Sequence, residues 1–245
     1  MSQETREHYV LDAHTHTIAS GHAYNTINEM VRSAADKGLS LLGITEHAPN
    51  MPGTCNEIYF QNFRALPREK YGVKLLFGAE LNIIDTEGHV DLSEWTLPEL
   101  DMGIASMHPP CYQSASAEEN THAYIQAMKI PQVNIIGHPD DARFPIDPLA
   151  LVQAAKEHHV LIELNNASLN PKGFRQDPKE TDKKILQYCE KYQVPIILGS
   201  DAHVEEAIAS YPYAEALLQE INFPKDLIVN YSVKQFLEFI PFAKC

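Results

Sequence analysis

The sequence has few cysteines, and they are far apart. Four occur among 245 residues, and none belongs to a CxxC pair: Cys55, Cys111, Cys189 and Cys245. Closely spaced cysteines are typical of small disulfide-stabilised proteins and of zinc sites built from thiolates. The spacing favours neither class, so any metal site in this chain must be built from histidine, aspartate and glutamate.

Basic side chains are also scarce. The chain has 19 lysines and arginines against 33 aspartates and glutamates, which gives a net charge of −14 with histidine neutral. Proteins that bind nucleic acids or anionic membranes rely on clustered basic residues. We therefore expect neither a membrane partner nor a nucleic-acid partner. The acidic balance does not exclude an anionic substrate held by metal ions.

Long apolar runs and linkers are missing as well. No run approaches the length of a membrane span, and the first residues, MSQETREHYVLD, lack the basic and apolar regions of a secretory signal. We therefore expect a cytoplasmic protein. Because there is no internal repeat and no linker rich in proline, glycine or serine, the sequence predicts a single domain over residues 1–245.

The chain does contain a repeated alternation of strand and helix signals. Short apolar runs rich in β-branched residues predict seven buried strands: Val10–Ala13, Leu41–Thr45, Val73–Ala79, Met102–Ser106, Val133–Gly137, Val160–Leu164 and Pro195–Gly199. Helix-start signatures separate them, at Thr26, Ser116, Asp147, Asp177 and Ser232. This alternation predicts a parallel sheet, either doubly wound or closed into a barrel.

Histidines are concentrated at the ends of these strands. Seven of the twelve histidines lie there together with two carboxylates: His14, His16, His22, His47, Glu80, His108, His138, Asp201 and His203. The carboxyl ends of barrel strands converge on one face, whereas an open sheet would spread them apart. The pattern favours a distorted seven-stranded barrel. Nine donors exceed the three or four that one zinc ion takes from a protein, so we predict a trinuclear site.

Six segments of the sequence resemble the PHP (polymerase and histidinol phosphatase) superfamily. They run from His14 to Tyr24, from Ile44 to His47, from Gly78 to Asn82, from Met107 to Pro109, from Gly137 to Pro139 and from Gly199 to His203. The first of them, with a histidine at position 22, is most similar to the YcdX-type phosphatases. The resemblance implies a distorted (β/α)7 TIM-like barrel that holds three divalent ions, zinc in the first place, with manganese or iron left open.

The resemblance also implies a ligand set for each ion. His14, His16, Glu80 and Asp201 would bind the first ion. Glu80 would bridge to a second ion that His108 and His138 also bind. The third ion would be bound by His22, His47 and His203.

The implied reaction is hydrolysis of a small phosphate monoester, because clustered divalent ions activate water and stabilise the charge on phosphoryl oxygens. Glu80, Asp201 and His203 are the expected catalytic residues. Arg64 and Arg68 would share one face if residues 58–65 are helical, and paired guanidinium groups suit a phosphate. The alternative is a solvated basic face.

Two asparagines at strand ends are further candidates. Asn82 and Asn166 are expected to contact substrate or to orient metal ligands, with turn formation as the alternative. The expected partner is a small-molecule phosphate ester, and the oligomeric state is left open.

Several other functions compete with this interpretation. A histidinol-phosphate phosphatase is one. An amidohydrolase-type C–N hydrolase would also use two histidines on a strand, but would usually offer a strand-end lysine, which this sequence lacks. A PHP nuclease is disfavoured by the negative charge. A metal-storage module would have closed four-coordinate sites.

Overall fold

The computed structural model describes residues 8–244. Both limits of the predicted 1–245 domain, and Cys245, lie outside these residues. Within them, eight strands form one sheet: β1 (Leu11–Asp12), β2 (Leu41–His47), β3 (Glu69–Lys70), β4 (Val73–Asn82), β5 (Met102–Ser106), β6 (Val133–Ile136), β7 (Leu161–Asn165) and β8 (Ile196–Gly199). All pair in parallel and in chain order except β3, a short antiparallel addition to β4 that was not predicted.

The two outer strands of this sheet approach each other beyond their ends. Thr15 and Ala202 form a parallel bridge, in which the His16 N–H donates to the Ala202 carbonyl at 2.9 Å. The Ser200 N–H donates to the Asp12 side chain at 3.4 Å. The seven parallel strands therefore make a nearly closed barrel, which confirms the predicted (β/α)7 fold. Its distortion lies at β1, which has only two residues.

An α-helix follows each of the parallel strands except β4. The helices of the described chain are α1 (Ile27–Asp36), α2 (Glu57–Gln61), α3 (Ala117–Ala127), α4 (Pro148–His158), α5 (Pro178–Tyr192), α6 (Pro212–Ile221) and α7 (Val233–Leu237). Thr26 and Ser116 begin α1 and α3 with the predicted capping boxes, and Asp147 caps α4. Asp177 precedes α5 as expected, but its side chain makes no capping hydrogen bond.

The amino-terminal end of the barrel interior is apolar. Leu11, Leu41, Leu76, Met102 and Leu161 form a buried cluster there with Phe236, Phe239 and Ile240 from the end of the chain. Alternate strand residues face the other way and pack against the helices in a second cluster.

Glycines lie between the apolar end and the polar end of the barrel. A Cβ atom at Gly199 would fall 1.7 Å from Glu163 Oε1, and one at Gly78 would fall 2.3 Å from the Met102 carbonyl. These positions need glycine because of close approach rather than because of backbone angles. Because Gly199 has no side chain, the buried Glu163 carboxylate can lie beside it, near the carboxyl-terminal end of the barrel.

Candidate metal centre

The carboxyl ends of the strands bring the nine predicted metal ligands together. His47 is the last residue of β2 and Glu80 lies near the end of β4. His14 and His16 follow β1, His108 follows β5, and Asp201 follows β8. The strands converge here because each parallel strand ends at the same rim of the barrel.

Glu80 is at the centre of this group. Its side chain is fully buried and five imidazoles surround it: His14, His16, His47, His108 and His138. Glu80 Oε2 lies 2.7 Å from His47 Nδ1, and Oε1 lies 2.8 Å from His138 Nε2. Each oxygen of the Glu80 carboxylate thus has an imidazole nitrogen beside it, which is the arrangement expected of a ligand that bridges two metal ions.

Several donor atoms face one another without hydrogen bonds that would satisfy them. His47 Nδ1 and Glu80 Oε2 are buried and have no hydrogen-bond partner among the described residues, although they are only 2.7 Å apart. His14 Nε2 and His16 Nε2 lie 3.1 Å apart, a distance at which the two nitrogens share a proton or bind the same cation. Leaving buried polar atoms unsatisfied is costly, and a bound cation would satisfy such atoms together. The donor set therefore fits divalent metal ions.

Three overlapping groups of donor atoms are compact enough to hold an ion. In each group the atoms lie within 4.8 Å of one another: His14 with His16 and Asp201, His47 with Glu80 and His108, and His16 with His47 and His203. The His22 ring stacks on that of His47 with centroids 4.9 Å apart, and it lies tilted against that of His203 with centroids 4.8 Å apart. The predicted third set is thus clustered, and His47 additionally lies against Glu80.

Other side chains fix the orientation of the imidazoles. His14 Nδ1 lies 2.7 Å from Glu163 Oε1, and His108 Nδ1 lies 2.8 Å from Asn82 Oδ1. A hydrogen bond at one ring nitrogen sets the tautomer and aims the other nitrogen at the metal. Glu163 was missed in the sequence because it lies inside an apolar strand run. Glu163 is the one acidic residue in the apolar run Val160–Leu164, and this could have marked it as a functional candidate.

The electrostatic field of the cluster keeps its carboxylates ionised. Burial alone would raise the pKa of Glu80, but the imidazoles around it, His47 first, hold that pKa well below its usual range. Burial acts in the same way on Asp201, and His14, His16 and Arg175 hold the pKa of Asp201 well below its usual range.

Two of the histidines are kept neutral by the same surroundings. Burial lowers the pKa of His108 to about 4, and it lowers the pKa of His16 well below 6.5. Since a histidine must be neutral to bind a metal, these two are ready to act as ligands at neutral pH.

A cavity of about 500 Å³ opens beside the cluster. His22, His108 and His203 form part of its wall, and two arginines that sequence reasoning missed form another part. Arg175 is buried and donates to Asp201 Oδ2 at 3.2 Å. Arg143 lies in the loop after β6. No sequence signal marked either residue, because both lie in loops whose paths depend on the whole fold.

The predicted arginine pair is not brought to the cavity. α2 ends at Gln61, so residues 58–65 are not one helix, and Arg64 lies exposed on a separate turn. Arg68 pairs instead with Asp101, just before β5, and stacks over Phe77. The single helix over residues 58–65 on which the shared face depended is therefore absent, and the cavity wall includes neither Arg64 nor Arg68.

The two predicted asparagines have structural partners. Asn82 donates to Asp91 Oδ2 at 2.6 Å and accepts from His108, a predicted metal ligand. The contact fits one of the two roles expected of Asn82, the orientation of a ligand. Asn166 Oδ1 accepts from the Tyr213 and Ala214 N–H groups at the start of α6. Its side-chain carbonyl is thereby occupied, which argues against the substrate contact predicted for it.

Comparison with known proteins identifies relatives along nearly the whole chain. The model of the PHP domain family matches residues 12–222. A probable phosphatase of Clostridium botulinum is 46% identical over 232 residues, which span 95% of this chain and 94% of that protein. A probable phosphatase of Caldicellulosiruptor saccharolyticus is 46% identical over 230 residues, which span 94% of this chain and 95% of the relative.

Solved structures share the fold at much lower sequence identity. The histidinol phosphate phosphatase of Lactococcus lactis, complexed with zinc, L-histidinol and phosphate, has a TM-score of 0.59 at 19% identity and covers 88% of this chain and 95% of its own. A chain of archaeal ribonuclease P solved with mature tRNA has a TM-score of 0.58 at 17% identity, covering 95% and 90%. Across the described part of the chain, no helix is both long and apolar enough to span a membrane.

Proposed function

The chain belongs to the PHP domain family, and on that premise we propose that it is a metal-dependent phosphatase of small phosphate monoesters. The proposal includes a trinuclear site, with zinc as the first candidate ion, and a single domain over residues 1–245. The observation that carries it is the buried Glu80 carboxylate, which has imidazole nitrogens against both oxygens and, within residues 8–244, no hydrogen bond at Oε2. The names of the relatives support the same reaction class.

The nine ligands would divide among three ions. His14, His16 and Asp201 would hold the first, Glu80 would bridge it to a second held by His108 and His138, and His22, His47 and His203 would hold the third. Bound divalent ions at such a site supply Lewis acidity and lower the pKa of water, so that a nucleophile forms at neutral pH.

The residues of the chain itself position the substrate and the ligands. Asp201 faces the histidines with Oδ1, 3.3 Å from His16 Nε2, and accepts from Arg175 with Oδ2. Arg175 lines the cavity while it holds Asp201, so its guanidinium would bind the phosphoryl oxygens at a fixed position. His203 is partly exposed at the wall of the cavity and lies beside the ester oxygen in this proposal.

Chelation tests the proposed function directly. Treatment with a chelator should abolish hydrolysis of p-nitrophenyl phosphate, and adding back zinc, manganese or iron should restore it. His47→Ala should lose activity at every metal concentration. His122→Ala, which removes an exposed histidine on α3, is the matched control and should behave like the wild type. A chelated enzyme that retains its activity would refute the proposal.

A further inference from the structure

The charges around the cavity carry an inference about substrate class that rests on the proposed function. We propose that the site takes phosphate esters whose leaving group is neutral or anionic and has a flat apolar face. It discriminates against leaving groups that carry an ammonium. Arg143 and Phe174 are the specificity-determining residues.

The first observation is that the cavity offers no free carboxylate. Among the described residues that line it, Asp201 is the one acid. Asp201 Oδ1 lies 3.3 Å from His16 Nε2, and Oδ2 accepts from Arg175 at 3.2 Å. A substrate ammonium would lose water on entry and find no counter-ion, and such a charge is expensive to bury.

The second observation is the orientation of Arg143. Its Nε donates to both oxygens of Asp141 at 3.0 Å, and its Nη2 also donates to Asp141. Asp141 does not belong to the cavity wall among the described residues, whereas Arg143 does. No hydrogen bond joins Arg143 Nη1 to another described residue. The guanidinium is thus held in place with donor capacity left for an anionic group on the leaving group.

The third observation is an exposed aromatic ring on the same wall. Phe174 is 78% exposed although most large apolar side chains of this protein are buried. Its ring lies 5.7 Å from the Arg175 guanidinium carbon, so it adjoins the proposed phosphate position. Met51, Pro109 and Pro110 contribute further apolar surface. A flat leaving group could pack on this ring while its phosphate lies at Arg175 and the histidines.

Together these features favour binding by charge as well as by shape. An ammonium would lie near two guanidinium groups, and the acids beside them, Asp141 and Asp201, are already engaged by those arginines. Such a placement of like charges weakens binding. A carboxylate or second phosphate would instead meet Arg143. L-Histidinol phosphate, which carries an ammonium, should therefore be a poor substrate for this chain, in contrast to the Lactococcus lactis protein, whose fold it shares.

Calorimetric titration of the metal-loaded protein with three small phosphonates measures this preference without turnover. Ethylphosphonate, 2-aminoethylphosphonate and phosphonoacetate have similar sizes and differ in charge. The aminoethyl compound should bind about tenfold more weakly than ethylphosphonate, and phosphonoacetate about tenfold more tightly. In hydrolysis, kcat/KM should likewise be higher for ethyl phosphate than for O-phosphoethanolamine or L-histidinol phosphate, both of which carry an ammonium.

Two variants assign the preference to its residues. Arg143→Gln should remove the advantage of phosphonoacetate and leave ethylphosphonate binding unchanged. Phe174→Ala should weaken benzylphosphonate about threefold to tenfold without affecting ethylphosphonate. Arg64→Gln, an exposed arginine outside the cavity wall, is the control and should change none of these affinities.

The outcomes separate this inference from the proposed function. If esters are hydrolysed but the aminoethyl compound binds as well as ethylphosphonate, the inference is wrong and the proposed function stands. If no phosphonate binds and no ester is hydrolysed, both are wrong. An unchanged phosphonoacetate preference in Arg143→Gln would refute the role of that arginine.

Discussion

Along β4 the inward-facing side chains change from Leu76 through Gly78 to Glu80, so this one strand passes from the apolar end of the barrel to the polar end. The amino-terminal end of the barrel thus buries aliphatic side chains and the carboxyl-terminal end buries carboxylates and imidazoles. Burial of apolar surface stabilises the fold, while burial of charged groups costs free energy unless they are paired. The apolar end therefore provides stability, and the polar end uses part of it to hold donor atoms close together.

Of the variants considered, Glu80→Gln at the polar end should have the largest effect, which is a loss of activity. The amide keeps the shape of the side chain but removes the charge and one acceptor that faces the histidines. We expect kcat/KM for p-nitrophenyl phosphate to fall on the order of 10³-fold while the protein remains folded. Steady-state kinetics and thermal unfolding measure the two quantities. Glu87→Gln, at an exposed position, is the control, and a comparable loss of activity in both variants would contradict the role of Glu80.

Phe236→Ala tests the opposite end. Phe236 is completely buried in the apolar cluster, so its truncation should lower the free energy of unfolding by about 3–5 kcal/mol. Metal content and kcat/KM of the folded protein should not change, because the cluster is separate from the metal ligands. Denaturant unfolding provides the measurement, with Phe242→Ala at a 46% exposed site as control. Loss of bound metal in Phe236→Ala would show that the two ends are not independent.

Asn82→Ala should have a smaller effect on activity. The substitution removes the acceptor that orients His108 and leaves Asp91 without one of its donors. We expect a loss of about 10-fold to 100-fold in metal affinity or kcat/KM, as for other groups that orient a ligand. Asn62→Ala, at an exposed position after α2, should show none. If Asn82→Ala retained the metal affinity and kcat/KM of the wild type, Asn82 would not be needed to orient His108.

Asp182→Asn should have the smallest effect, and it concerns stability. Burial and the neighbouring Asp140 carboxylate raise the pKa of Asp182 well above its usual range, so the folded protein binds this proton more tightly than the unfolded chain does. Stability should therefore be lost as pH rises from about 4, the ordinary aspartate value, through the raised pKa.

The amide of Asp182→Asn avoids this loss, and the variant should be more stable than the wild type at neutral pH by about 1 kcal/mol. The difference should shrink towards about pH 4. Thermal unfolding across pH measures it, with exposed Asp226→Asn as the control. A variant that is less stable than the wild type at neutral pH would contradict this charge assignment.

The strands and the strand-end donors could be predicted from the sequence because each depends on local order. A short apolar run followed at once by a histidine or acid places that donor at the barrel rim, whatever the helices outside do. Glu163 could not be identified in this way because its role depends on the space left by Gly199, which is 36 residues away in sequence.

The arginines could not be assigned for a similar reason. Arg68 is drawn to Asp101 at the other end of β5, a long-range contact that no local spacing reveals. Arg143 and Arg175 reach the cavity from the loops after β6 and β7, which contact each other where the Ala142 N–H donates to the Gln176 carbonyl at 2.8 Å. Local pattern thus predicted which donor side chains meet at the barrel rim, while the residues that line the cavity depend on tertiary structure.

The metal content of the purified protein is the most direct test of the central claim. Elemental analysis after reconstitution should give about three divalent ions per chain for the wild type and for His122→Ala, and about two for His203→Ala. Activity should rise together with occupancy. A wild-type protein that holds only one ion per chain at full activity, or a His203→Ala variant with unchanged metal content, would contradict the trinuclear assignment.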